Sequence, residues 1–296
     1  MASGNTITQA LADSLPTAVA SARQVREQVG VMTKSVDLVT LGRNTGLSWR
    51  EISLEKLSSQ AITESTELDN PQQLQDTLFT VTPTVVGIQT LITDRVAERI
   101  SSRVVGRMGG LAQNAMERKK DEDGLVAMDG ATNQLNSSTA VLRSSYIRAA
   151  RARITSNTTE PAPMGAPIVG IFHGFQIKDL EDELLDLATG VLDGQVQTGL
   201  TQDVYQNGFR GTVGGVVIKE DGNLTIDSTP DAKGGVFAKP ALVLVQGRSP
   251  RSEVRREPHI GGGATSVFFY DEYAYGERSS GNWLYEVISD ATTPTS

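Results

Sequence analysis

The chain has 296 residues, with 35 acidic and 27 basic side chains and a formal net charge of −8 at pH 7. This length is sufficient for one large domain or two moderate domains with a sizeable core, and the negative charge argues against free nucleic acid as a partner. The lack of cysteine excludes disulfides and thiolate metal sites, two histidines are few for a metal site or a general base, and no apolar run reaches the ~20 residues of a membrane span.

The first third of the chain consists of segments that have little apolar surface of their own. Residues 1–40 are rich in Ala, Ser, Thr and Gln, with a weak amphipathic pattern over Ala18–Val31, and predict an N-terminal arm that needs another surface to lie on. Residues 41–76 predict a long, hairpin-like extended loop, because WREISLEKL alternates and the rest is polar. TLFTVTPTVV then predicts a strand whose proline suits a sheet edge.

A long helix is predicted over Thr90–Met128. Its apolar residues recur in steps of three and four and define one stripe: Ile92, Val96, Ile100, Val104, Met108, Leu111 and Ala115. Beside this stripe runs a row of arginines: Arg95, Arg99, Arg103 and Arg107. Three glycines in the middle of the helix would permit a bend or the close approach of another backbone: Gly106, Gly109 and Gly110. We interpret this helix as a spine between a sheet and a neighbouring subunit.

The remaining chain predicts alternating helices and strands. AVLRSSYIRAARARI is a short helix, TSNTTEPAPMGAP a linker, PIVGIFHGF a buried strand, QIKDLEDELLDLA a helix and GLTQDVYQNG a shorter helix. GTVGGVVIKED and AKPALVLVQG are predicted strands. SVFFYDEYAYG and NWLYEVISDA are expected to be C-terminal strands that return to the sheet beside the spine.

This order of segments resembles the tailed-phage major capsid protein, the Hong Kong 97 shell fold. Three phrases carry the resemblance: TELDNPQQLQDTLFTVTPTVVGIQTLITDRVAERI, PIVGIFHGFQIKDLEDEL and NGFRGTVGGVVIKEDGN. It covers nearly the whole chain and implies an α+β fold in five parts. These are an N-terminal arm (1–40), an extended loop (41–76), a peripheral domain with the long spine helix (77–130), an axial domain (131–250) and a second peripheral part (251–296).

The resemblance also implies a structural protein rather than an enzyme. Such a chain would bind copies of itself as hexamers and pentamers of an icosahedral shell around packaged double-stranded DNA, without cofactor or membrane. It would be assembled in the host cytoplasm and end in the virion. Because the arm is short, we expect a separate scaffolding protein, besides a portal.

Opposite charges suggest where neighbouring copies meet. Residues 51–76 carry six acidic side chains against one lysine, and residues 91–120 carry seven basic against three acidic ones. The hypothesis is that an acidic loop (Glu64, Glu67, Asp69) docks near the arginine row of a neighbour, because the planar arginine fork suits carboxylates. The alternatives for the arginine row are a solvated helix face and contact with the DNA backbone. The three glycines are candidate hinges for a spine that bends between immature and mature shells.

Other chemistry finds little support in the sequence. DEDGLVAMDG fails the calcium-loop pattern and predicts a solvated acidic turn at a helix end, GTVGGVV is no phosphate loop, and His173 and His259 lack a hydrolase motif. Seven aromatic residues in the last two strands predict a core, an intersubunit face or a carbohydrate platform: Phe268, Phe269, Tyr270, Tyr273, Tyr275, Trp283 and Tyr285. A carbohydrate-binding or tail-adhesin virion protein is therefore the second reading, and a hydrolase without a visible motif the third.

Overall fold

The computed structural model describes residues 5–6, 30–59, 61–62, 64, 73–99, 102–190 and 211–295. The helices are α1 Met32–Ser35, α2 Asp94–Arg99, α3 Ser102–Asp129, α4 Ser144–Thr155 and α5 Gly174–Gly190. The strands are β1 Asn5–Thr6, β2 Asp37–Thr40, β3 Trp49–Leu54, β4 Asp76–Val81, β5 Thr84–Thr93, β6 Gln134–Leu135, β7 Ile168–Phe172, β8 Thr212–Val213, β9 Val216–Glu220, β10 Asp231–Ala238, β11 Leu242–Glu257, β12 Ala264–Glu277 and β13 Leu284–Asp290. The predicted helix GLTQDVYQNG lies outside the described residues.

The strands form three sheets, and the predicted α+β class is confirmed. A five-stranded sheet has the order β1-β5-β12-β11-β2, a six-stranded sheet has the order β6-β13-β10-β7-β9-β8, and β3 and β4 form a separate two-stranded ribbon. The chain passes between the two larger sheets through short turns at Lys239–Ala241 and Ser279–Gly281. Each sheet is therefore assembled from segments that are distant in sequence.

The long helix begins later than predicted. Residues 90–93 are the end of β5, where Thr90 pairs with Val267 and Thr93 with Ala264, because β-branched side chains suit a paired strand. The predicted stripe is also wrong in the second half of the helix, since Leu111 is 42% exposed. The buried side chains follow other rows, which face the sheets: Ala112, Met116, Asp121, Leu125 and Met128.

The six-stranded sheet contains a strand that the sequence did not predict. β10 lies between β13 and β7, with Val236 paired to Tyr285 on one side and Gly170 on the other. Its glycines hide the strand pattern, but they are needed for packing. A Cβ on Gly234 would lie 2.4 Å from the Phe172 ring, and one on Gly235 would lie 2.6 Å from the Met128 sulfur.

Several strand pairings cross the predicted part boundaries. β2 (Asp37–Thr40) lies within the predicted N-terminal arm and pairs with β11 in the five-stranded sheet. The boundary at residue 76 falls within β4, which pairs with β3, and the boundary at residue 250 falls within β11, which pairs with β12. β13 pairs with β10 and β6 in the six-stranded sheet and not with the strands of the five-stranded sheet. The division into five parts stays a prediction.

Candidate assembly surface

The β3–β4 ribbon is attached to the body by one of its two faces. Its strands pair in register from Trp49 opposite Val81 to Leu54 opposite Asp76. Trp49 and Phe79 contact each other edge to face, with ring centroids 5.9 Å apart, and pack with Val81 on the buried Val243 and Val245 of β11. This small cluster fixes the base of the ribbon on the five-stranded sheet.

Arg278 joins the ribbon base to two other elements. Its Nε donates to Glu51 of β3 at 2.7 Å, and one terminal nitrogen donates to Asp37 of β2 at 2.8 Å and to the Pro240 carbonyl oxygen at 3.2 Å. Its guanidinium also lies 5.4 Å from the centre of the Trp49 ring. The Arg278 side chain is 15% exposed, so a single charged group, here called the Arg278 clasp, links the ribbon, β2 and the turn before β11.

The other face of the ribbon is open, and it carries three apolar side chains beside Arg50, Asp76 and Thr80. Ile52 and Leu78 are directly paired across the two strands, and Leu54 lies on the same face two residues along. These three side chains are 61%, 56% and 67% exposed, respectively. Leu57 and Leu74, just beyond the paired part, are 59% and 63% exposed. Soluble single chains seldom expose a contiguous apolar patch of this kind without a partner.

The predicted charge sites are described only in part. Glu64 and Arg95 are exposed, whereas Glu67, Asp69 and the side chains of Arg99, Arg103 and Arg107 lie outside the described residues. Next to Arg95, Asp94 binds Arg256 of β11, and this hydrogen bond lowers the pKa of Asp94. Docking of the acidic loop on the arginine row therefore stays a prediction.

Two of the three candidate hinge glycines have open surroundings in this chain. Gly109 and Gly110 lie within α3, and a Cβ on either would meet nothing within 4 Å. No other segment of the described chain therefore uses them for close backbone approach, and their role as hinges stays a prediction. Gly106 is not among the residues whose surroundings the structure describes.

The C-terminal aromatic residues do not form an exposed platform. All seven are buried or half-buried. Tyr273 is 2% exposed and donates to Asp123 of α3 at 2.9 Å, and Trp283 donates from its ring nitrogen to the Glu160 carbonyl oxygen at 3.0 Å. These contacts favour the core reading over a carbohydrate platform.

His173 has a structural setting. Its Nδ1 accepts a hydrogen bond from the Phe175 backbone N–H at 3.2 Å at the start of α5, and burial lowers its pKa. Among the described residues, no group of three or more His, Cys, Asp or Glu could hold a metal ion. No helix in the described part of the chain is long and apolar enough to cross a membrane.

The acidic turn predicted at the helix end has a different environment. Asp121 lies inside α3, is 1% exposed, and accepts hydrogen bonds from the Met32 backbone N–H at 2.9 Å and from the Asn223 side-chain amide at 3.0 Å. The prediction of a solvated turn is wrong for this residue. The contacts come from residues 89 and 102 positions away, so no local signal indicates them.

Comparison with solved structures defines the class of fold. No protein-family model and no curated protein matches the sequence. The chain is similar over nearly its whole length to solved phage capsid structures, and it has their fold. The cyanophage Pam1 capsid matches with a TM-score of 0.71 at 11% identity, covering 99% of this chain and 100% of that chain.

Two further neighbours give the same result. The cyanophage P-SCSP1u capsid matches with a TM-score of 0.70 at 11% identity, covering 93% of each chain. The capsid of Ralstonia phage GP4 matches with a TM-score of 0.66 at 14% identity, covering 95% of this chain and 96% of that chain. At the level of fold, the resemblance to phage capsid shell proteins is confirmed.

Proposed function

We propose that this chain is a major capsid protein, whose copies associate into the head shell of a bacteriophage. The observation that carries the proposal is the open apolar face of the ribbon (Ile52, Leu54, Leu78), on a chain with the fold of phage capsid structures. A two-stranded ribbon has no second layer with which to bury such a face. A second copy of the chain is the natural cover, because contacts between different surfaces of identical subunits close into rings and shells.

The contribution of this face is substantial for one contact. Fully burying a Leu or Ile side chain contributes roughly 1.5–3 kcal/mol, and each of these three side chains is more than half exposed. Covering the triplet would thus stabilise each contact by about 3–5 kcal/mol before ordering losses. By contrast, single exposed ion pairs contribute only ~0.2–1 kcal/mol, so we propose that the acidic loop and the arginine row adjust the contact and that the apolar face drives it.

The wider assembly follows from the same proposal. The shell would consist of hexamers and pentamers and would enclose double-stranded DNA without sequence specificity, consistent with a chain of net charge −8. A separate scaffolding protein and a portal would complete it. The chain would act structurally rather than catalytically, in the virion after assembly in the host cytoplasm.

The test compares the assembly of the wild-type chain with that of two variants. We expect the purified wild-type chain to form shells or large rings in negative-stain microscopy and size-exclusion chromatography. Ile52→Asp with Leu78→Asp should leave soluble, folded subunits, because both side chains already face solvent in the single chain. Met164→Asp is the matched control, since Met164 is fully exposed and belongs to neither strand of the ribbon.

Two results would contradict the proposal. If the wild-type chain stays a monomer or a trimer at high concentration, the shell assignment is wrong and an adhesin becomes the better reading. If the ribbon variant assembles as well as the Met164 control, with an unchanged circular dichroism spectrum, the apolar face is not the contact.

A further inference from the structure

Two aspartates lie together beneath residues 30–32, within the predicted N-terminal arm. Asp121 belongs to α3 and Asp221 follows β9, and each is 1% exposed. Both carboxyls accept a hydrogen bond from Asn223, so they lie next to each other. Burial and the like charge of a neighbouring carboxylate both disfavour ionisation of a carboxyl group. The pair therefore favours holding one shared proton.

The same pair binds the backbone at residues 31 and 32. The Met32 N–H donates to Asp121 Oδ1 at 2.9 Å, and the Val31 N–H donates to Asp221 Oδ2 at 3.3 Å. Asn223 bridges the pair, because its side-chain amide donates to Asp121 Oδ2 and its backbone N–H to Asp221 Oδ1, both at 3.0 Å. The Val31 and Met32 backbone N–H groups thus both donate to carboxyl oxygens of the aspartate pair.

The backbone approaches the pair closely at Gly30. A Cβ there would lie 2.3 Å from the carboxyl carbon of Asp121, so only glycine fits. Further along, Ser35 receives a hydrogen bond from the Lys219 ammonium at 2.8 Å, and the Leu41 N–H donates to the Gln246 carbonyl oxygen at 2.9 Å. The backbone of residues 31 and 32 is therefore bound to the aspartate pair, and the Met32 side chain is in addition buried in the core, whereas residues 35–41 have attachments that do not involve the pair.

No cation neutralises the pair. In the part of the chain that the structure describes, neither aspartate forms an ion pair with a lysine or an arginine. Burial, followed by the hydrogen bond and negative charge of Asp121, raises the pKa of Asp221 to about 7. The Tyr275 hydroxyl is buried without a hydrogen-bond partner and carries a raised pKa, chiefly through burial. Other titratable groups on the surrounding elements include Lys34 of the N-terminal segment, Lys120, Glu122 and Asp123 of α3, Lys219 and Glu220 of β9, and Tyr273 of β12.

Several of these groups have partners of their own. Lys120 forms an ion pair with Asp271 at 2.6 Å. Asp123 accepts from Lys119 at 2.6 Å and from Tyr273 at 2.9 Å. Lys219 is held by Ser35, and its pKa is lowered by burial, then by the nearby ammonium groups of Lys34 and Lys239. Lys34 is exposed.

We propose that Asp121 and Asp221 form a proton-dependent latch. With one shared proton, the latch fixes residues 30–32, where the N-terminal arm leaves the body, on the long helix α3. With both carboxylates ionised, their repulsion weakens the latch and residues 30–32 open. The latch belongs to the single chain and does not depend on shell assembly.

The direction of the pH effect follows from linkage. A carboxyl whose folded pKa lies above its unfolded value stabilises the closed state at low pH, and this stabilisation is lost as the pH rises through the folded pKa. The opening of residues 30–32 should therefore increase as the pH rises from about 5 to about 7.5, by at least tenfold, and level off above that.

The test is residue-resolved hydrogen exchange of the full chain at several pH values, expressed as protection factors so that the intrinsic pH dependence is removed. The amides of Val31 and Met32 should lose at least tenfold protection between about pH 5 and about pH 7.5. The Leu41 amide is the internal reference and should keep its protection. Equal behaviour of all three amides in the wild-type chain would overturn the proposal without any variant.

Two variants separate the latch from general charge effects. Asp221→Asn removes the titratable carboxyl and should make protection at Val31 and Met32 independent of pH. Glu122→Gln removes a carboxylate from the same helix, at a side chain that is 44% exposed, and should keep the wild-type profile. A pH-dependent profile in a folded Asp221→Asn chain would also overturn the proposal.

Discussion

Replacing Arg278 with alanine should loosen the ribbon from the body. The substitution removes two charged hydrogen bonds, to Glu51 and Asp37, one bond to the Pro240 carbonyl oxygen, and the contact with the Trp49 ring. Hydrogen bonds to charged groups contribute roughly 1.5–3 kcal/mol each. Both carboxylates are 42% exposed and regain water, so the lower value applies, and the expected loss is about 3 kcal/mol for the two bonds together.

The free energy of unfolding of the unassembled full chain, measured by urea denaturation, is the readout. Arg278→Lys keeps the charge but lacks the planar fork, and can satisfy only one carboxylate well, so we expect about half the loss. Arg248→Ala is the matched control. That arginine is 72% exposed with one 3.5 Å contact to Glu272, and its removal should change stability by less than ~1 kcal/mol.

Two results would contradict the role proposed for the Arg278 clasp. If Arg278→Ala lowers the free energy of unfolding no more than Arg248→Ala does, the clasp does not hold the ribbon. A loss of stability without faster hydrogen exchange at the β3 and β4 amides would likewise show that Arg278 stabilises only the turn in which it lies.

Three further predictions concern assembly and pH. Arg99→Glu with Arg103→Glu should lower shell yield and alter its salt sensitivity if the acidic loop docks on the arginine row; unchanged yield and salt sensitivity would refute that docking. Gly109→Ala with Gly110→Ala should stabilise α3 by up to ~1 kcal/mol per site, because nothing obstructs a Cβ there, and should stall shell expansion; normal expansion would refute the hinge. The wild-type free energy of unfolding should fall by about 2 kcal/mol between about pH 5 and about pH 7.5 relative to Asp221→Asn, as urea titrations at each pH can measure.

The structure bears out most of the element assignments made from local sequence patterns. The alternation of WREISL, the run of buried residues in IVGIF and the apolar rows of the helix over residues 144–155 each specify one element, because side-chain period and burial are properties of a short segment. The order of these elements also gave the resemblance to phage capsid proteins, which the structural neighbours confirm at the level of fold.

Only part of the candidate assembly surface could be predicted from the sequence. The exposed face of the ribbon was accessible from sequence, because Ile52 and Leu54 lie two residues apart in an alternating strand. The clasp was not, because Arg278 lies 227 residues from Glu51 and 241 from Asp37. No local sequence pattern distinguishes Arg278 from the arginines of the row on the helix.

By itself, the sequence determined most of the helices and strands and the extended segment that contains the ribbon. The tertiary structure decided which strands share a sheet, that the ribbon exposes Ile52, Leu54 and Leu78 on one face, and that Asp121 is buried rather than solvated. The physical reason is that hydrogen-bond pairing and burial depend on what another part of the chain places opposite a residue. Period and composition report only on the residue's own segment.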